Sequence, residues 1–198
     1  MNLLAHAFLS FHQPDILVGN MISDHVKGKK KFDYSAAIQN GISLHRSIDE
    51  FTDWHPATID AKQYFRPDYR LYSGAFIDIL YDHFLANDIT QFLNDEVLAA
   101  FAQETYDCLT DYENILPANF KMMLPFMKSH NWLYNYRFRQ GIRRSFEGLV
   151  RRSKYLNESD IAFNIFERNY NELKEHYRIF FPALKNFAFL QLQLLQRQ

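Results

Sequence analysis

Apolar residues recur along this chain at intervals of three and four rather than in alternation, the period of helices packed on a core. The run NLLAHAFLSF (2–11) predicts a first helix, and Pro14 with Asp15 opens a second that reaches about Val26. The basic stretch KGKKKFD (27–33) interrupts the pattern at Gly28, and a third helix is predicted from about Tyr34 to Thr52. Asp53, His55 and Pro56 fit an N-cap followed by proline in the first turn of a short helix. Further helices are predicted over 69–86, over 94–109, over 116–130 with a break at Pro125, and over 135–154. Asn157 and Asp160 resemble a capping box for a last long helix, kinked at Pro182. With no alternating strand pattern, repeat or linker, the expectation is an all-α bundle of about seven to nine helices, with residues 1–198 as one helical domain.

Several of these apolar stripes carry groups that do not belong on them. Ile38, Ile42, His45 and Asp49 lie on one face of the third helix. Asp78 and Asp82, one turn apart, share a stripe with Leu71, Ala75 and Leu85, and His83 lies about 100° further round. Asn20 and Asp24 sit among Ile16, Leu17, Val18, Met21 and Ile22, and His6 sits among Leu3, Leu4, Phe8 and Leu9. Like charges at i, i+4 oppose one another, and an ionised carboxylate is costly to bury unless a cation or several donors meet it. Four helical segments that turn imidazole and carboxylate inward match the ligand chemistry of Mn, Fe, Zn or Mg, assembled as helix bundles assemble metal sites. The Glu-x-x-His pairs of a ferritin-like di-iron site are absent. Taken singly, each group has a plainer role: His6 as a satisfied core histidine, Asp24 paired with Lys27 or His25, Asp53 and His55 as caps, Asp78 orienting a histidine. His12, His25, His130 and His176 carry no spacing argument and are assigned to the surface.

Composition narrows the classes. Apolar residues make up 47% of the chain and aromatic ones 17%, a globular balance, and six Gly and six Pro leave room for long helices. A formal net charge of −1 offers no global case for nucleic acid. Cys108 is the only cysteine, so neither an internal disulfide nor a Cys-rich metal site can form. The N-terminus lacks a basic n-region, and no apolar run approaches the roughly 20 residues of a membrane span, so a soluble, cytoplasmic protein is expected.

In order along the chain, MNLLAH (1–6), GNMISDHVKG (19–28), GISLHRSIDEFTDWHP (41–56) and DILYDHFL (78–85) resemble the acyl carrier protein phosphodiesterase family. The later segments are similar only in character, and His25 stands where that family leads one to expect an aromatic or apolar residue. The resemblance implies a helical fold related to HD-type metal phosphohydrolases, with permuted helix order. It implies Mn²⁺-dependent hydrolysis of holo acyl carrier protein to apo carrier and 4′-phosphopantetheine. Its motif positions fall on His6, Asp24, His45, Asp49, Asp78, Asp82 and His83.

On that basis Asp24, His45, Asp82 and His83 are the expected metal ligands, with Asp49 or Asp78 orienting the attacking water or a ligand histidine. Arg46 is the candidate for neutralising phosphoryl charge, and His6 for protonating the leaving serine oxygen. Acyl carrier proteins are acidic, so the loop of Lys27, Lys29, Lys30 and Lys31 is the expected docking surface. A second basic cluster, between Arg137 and Lys154, is equally consistent with a solvated helix face. Two other functions fit the same residues: an HD-type phosphohydrolase of a nucleotide or small phosphoester, and a non-catalytic helical module that binds acidic proteins or RNA through its basic face.

Overall fold

Capping side chains set where the early helices begin. Asn2 Oδ1 accepts from Leu3 N at 2.9 Å to open α1 (Leu3–Phe8). Proline in the first turn starts α2 (Pro14–Ile22). The Ser35 hydroxyl accepts from Ile38 N at 3.4 Å ahead of α3 (Ala36–Trp54). His55 Nδ1 accepts from Ala57 N at 3.3 Å, with Pro56 leading α4 (Pro56–Lys62). The computed structural model describes residues 1–197, and continues through α5 (Arg66–Tyr69), α6 (Ser73–Ala86), α7 (Asp95–Asp111), α8 (Ala118–Ser129), α9 (Trp132–Asn135), α10 (Arg139–Arg152), α11 (Asp160–Arg168) and α12 (Tyr170–Leu195). The class is all-α, with no strand among the described residues. None of the described helices is long and apolar enough to cross a membrane.

Several predicted boundaries move, each for a local reason. The first helix stops at Phe8, because Phe11 and His12 take φ of 51° and 57°, left-handed values that no helix can contain. The helix predicted over 135–154 begins only at Arg139, as α10, after α9 ends at Asn135, and a Cβ on Gly141 would overlap the Asn135 carbonyl oxygen, so backbone meets backbone there. Asn169 separates α11 from α12 where one long helix was expected, and Asp160 pairs with Arg143 at 2.6 Å instead of closing a capping box. Pro125 lies inside α8 rather than breaking it, as Pro182 lies inside α12. Leu71, placed by pattern on the α6 stripe, sits in the turn before that helix and is 96% exposed.

The buried apolar side chains form a continuous cluster around α6, in which every residue from Ile79 to Ala86 is buried. α1, α4 and α10 pack on α6, and α12 lies across α3 and α4. The most extensive helix pair is α2 with α3. Its crossing is set by two glycines. A Cβ on Gly19 would overlap the Ile38 carbonyl oxygen and lie 2.9 Å from Gly41 Cα; one on Gly41 would overlap the Ile16 carbonyl oxygen. The two backbones therefore touch, which places residue 20 of α2 directly beneath residue 45 of α3. Gly41→Ala should cost about 2–3 kcal/mol, because the obstructing atoms are backbone and cannot swing aside. Urea unfolding of the variant checks this, and an unchanged midpoint would rule out the close crossing.

Candidate metal centre

Three helices aim polar groups at one point. α1 brings His6, α2 brings Asn20, and α3 brings His45 and, one turn later, Asp49. The imidazoles of His6 and His45 stack with centroids 3.8 Å apart and planes 14° from parallel. His6 Nε2 lies 3.2 Å from Asp49 Oδ1, and His45 Nε2 lies 3.1 Å from Asp49 Oδ2. One ligand atom from each of His6, His45 and Asp49 falls within 4.8 Å of the other two. Asp24, on the turn after α2, places Oδ1 3.2 Å from the same His45 nitrogen, and its side chain is 80% exposed.

Asn20, fully buried, fixes which nitrogen of each ring carries a proton. Its Nδ2 donates to the His6 carbonyl oxygen at 2.8 Å and to Ser10 Oγ at 3.1 Å, so its Oδ1 is an acceptor. That oxygen faces His6 Nδ1 at 2.8 Å, and the Asn20 carbonyl oxygen faces His45 Nδ1 at 2.7 Å. Both Nδ1 atoms must donate, and both Nε2 atoms are left facing carboxylates.

The two rings then part ways electrically. Burial, and next the His45 charge, lower the His6 pKa to about 4, so that ring is neutral. Its Nε2 lone pair therefore confronts a carboxylate oxygen with no proton between them, a contact that a cation resolves. For His45 burial opposes the charged form, but its bonds to Asp24 and Asp49 outweigh it and raise the pKa to about 9. Asp49 is buried enough to disfavour its charge, yet the bond from the His45 imidazolium and the nearby Met1 ammonium hold its carboxyl well below the usual range. The bond from His45 likewise lowers Asp24. Neutral imidazole, a displaceable imidazolium proton and two ionised carboxylates suit a divalent ion.

The remaining sequence candidates are placed as follows. Asp78 Oδ1 lies 3.1 Å from the Met1 ammonium, which also lies 3.3 Å from Asp49 Oδ1. Burial works against that ammonium, but Asp78 and Asp49 raise its pKa to about 10, while burial raises Asp78. Asp82, expected as a ligand, is turned instead to the start of α1, where it accepts from the amides of Asn2, Leu4 and Ala5 at 3.3, 2.7 and 3.3 Å. Burial raises its pKa to about 7. His83, also expected as a ligand, lies between the Tyr136 carbonyl oxygen at 2.7 Å and the Tyr170 hydroxyl at 3.2 Å. The 100° between Asp82 and His83 on α6 sends them to different neighbours, and neither joins the cluster. Arg46 is exposed and donates to the Val26 carbonyl oxygen at 3.1 Å, tying down the chain after Asp24. Lys27, Lys29 and Lys30 are exposed, and Lys31 donates to Ser43 Oγ at 2.6 Å. The Met1 ammonium is the group sequence reasoning passed over, and the sequence, which shows Asn20 on its apolar segment, assigns it no role in the site. Asn20 sits four residues before Asp24 on an apolar segment, a signal available in the sequence; the ammonium gives none.

The family described as acyl carrier protein phosphodiesterase matches residues 1–184. A Yersinia pestis protein of that name is 31% identical over 188 residues, covering 95% of this chain and 97% of the relative. A Photorhabdus laumondii protein of the same name is 30% identical, covering 95% of each chain. One from Klebsiella pneumoniae is 29% identical, covering 95% of this chain and 97% of its own. No solved structure matches.

Asn20→Ala should free the His6 ring while leaving His45 its backbone acceptor. Mn²⁺ affinity, read by competition with a fluorescent chelator, should fall about 10–100-fold. Nitrogen-15 NMR should show His6, and not His45, losing its single tautomer. Equal affinity and an intact His6 tautomer would refute the assignment.

Proposed function

Because the chain belongs to the acyl carrier protein phosphodiesterase family, we propose that it hydrolyses holo acyl carrier protein to apo carrier and 4′-phosphopantetheine, using a divalent metal, most simply Mn²⁺. The observation that carries the metal is the His6 Nε2 lone pair set 3.2 Å from Asp49 Oδ1 with His45 Nε2 beside it. In this reading His6, His45 and Asp49 hold the ion and Asp24 borders its open side. Bound there, a divalent ion would supply acidity to a water ligand and draw charge from the phosphoryl oxygens.

The residues supply the rest. Asn20 keeps both Nδ1 atoms occupied, so each ring presents only Nε2 to the site. Asp24, the most exposed of these carboxylates, orients the attacking water and receives its proton. The P–O bond to the carrier serine breaks, the hydroxyl from water stays on phosphorus, and the serine oxygen ends protonated. His6 does not serve as that acid: its one proton is engaged by Asn20, and its pKa near 4 leaves no second proton near neutrality. Arg46 acts indirectly, by fastening the chain between Asp24 and the lysine loop through Val26. Lys27, Lys29 and Lys30 are exposed directly after Asp24 and attract the acidic carrier. The whole chain serves as one catalytic unit, and a reducing cytoplasm suits its single cysteine.

Incubation of holo carrier with the protein and Mn²⁺ should lower the intact mass of the carrier by the phosphopantetheine group, and a chelator should abolish the loss. His45→Ala and Asp49→Asn should each reduce the rate by about 100-fold or more; full activity in either would remove that residue from the ligand set. Reversing charge at Lys29 and Lys30 should raise KM and weaken its dependence on salt. An unchanged salt profile would exclude the loop from docking.

A further inference from the structure

Beside the start of α1 lies a groove of about 370 Å³. Leu3, Ile79, Trp132 and Tyr136 supply its apolar walls, and one face of α10 closes it. That face reads Gly141, Ser145, Gly148 and Arg152 at i, i+4, i+7 and i+11, with Arg144 and Arg151 alongside. Small residues leave the trench open. A Cβ on Gly148 would lie 3.3 Å from Arg152 Nη1, so the guanidinium lies along the helix where a larger side chain would displace it.

The arginines of α10 divide by direction. Arg139 and Arg143 face α11 and pair with Glu167 and Asp160. Arg144, Arg151 and Arg152 line the groove, are exposed, and have no acidic partner among the described residues. Three unpaired guanidiniums within about two turns repel one another, and each presents a planar fork suited to a carboxylate. The groove also adjoins the candidate centre. Asn2 and Leu3 follow the Met1 ammonium that rests on Asp49 and Asp78, and Ile79 follows Asp78.

We propose that this α10 face docks the acidic surface of the carrier protein, with Arg144, Arg151 and Arg152 receiving its carboxylates. The proposal rests on the catalytic reading above and adds to it a recognition surface distinct from the lysine loop. A carrier whose modified serine reaches Asp24 and Asp49 must cover the neighbouring surface, and here that surface is cationic. Nucleic acid is the poorer fit: Tyr136 is buried and Trp132 half-buried, so neither offers an open face for bases to stack on.

Trp132 provides the readout. In a Trp54→Phe background it is the one tryptophan left. Titration with apo carrier should then shift its emission saturably, with Kd rising steeply as salt is added. Arg144→Glu/Arg151→Glu should raise Kd on the order of tenfold and flatten the salt dependence, and Arg144→Gln/Arg151→Gln should fall between. Thermal melting of each variant separates lost docking from lost folding. Unchanged Kd in the charge-reversed variant, or a saturable shift with an RNA oligonucleotide and none with carrier, would overturn the proposal. If holo carrier keeps its mass while apo carrier still binds through these arginines, the catalytic reading fails and the docking surface stands. If the mass is lost but the charge-reversed variant binds as tightly as before, the docking surface alone fails.

Discussion

Contact between two backbones, at Gly19 and Gly41, is the constraint from which the centre follows. Side chains normally hold helix axes 8–10 Å apart. Removing both at the crossing lets the carbonyl of Asn20 reach a histidine ring one turn along α3, a bond of 2.7 Å that no longer spacing would permit. The same approach sets the Asn20 side chain under His6. Two rings from different helices thereby receive their orientation from one residue, and Asp49 meets both because it lies one turn beyond His45 on a helix already fixed in depth.

The charges are arranged around that geometry. Asp24, Asp49 and Asp78 converge at the mouth, where the His45 imidazolium and the Met1 ammonium oppose them. Asp82 is the carboxylate set apart: wholly buried, it is met by three amides at the start of α1 and holds that short helix against α6. α1 has only six residues, too few to be stable alone, so this anchor and the core contacts of Leu4 and Ala5 keep His6 in place. Asp82 thus supports the centre from behind.

Much of this was legible in the sequence, and the limits fall at identifiable residues. The helical period gave the class, and the stripe of Ile38, Ile42, His45 and Asp49 showed that an imidazole and a carboxylate turn inward together. Periodicity reports that a side chain points inward; it does not report what waits there. Asp82 and His83 are both buried as their stripe implied, yet one meets helix amides and the other Tyr136 and Tyr170, contacts made across roughly 50 to 90 positions of chain. Helix ends were lost for the same reason. Left-handed backbone at Phe11 and His12 occurs with no glycine to announce it, and Asn169 divides the last two helices with no glycine or proline to mark the place.

The clustered imidazoles and carboxylates come from the segment between His6 and Asp49, with Asp78 at its margin, whereas the arginine wall of the groove belongs to the stretch from Arg144 to Arg152. The reactive cluster and the arginine wall are thus written in separate parts of the gene. A lineage adapting to an altered protein substrate could rewrite Arg144, Arg151 and Arg152 of α10, since these positions carry no buried polar bond that the reactive groups depend on. Across distant relatives, divergence should therefore concentrate on that late helix while the first three drift slowly.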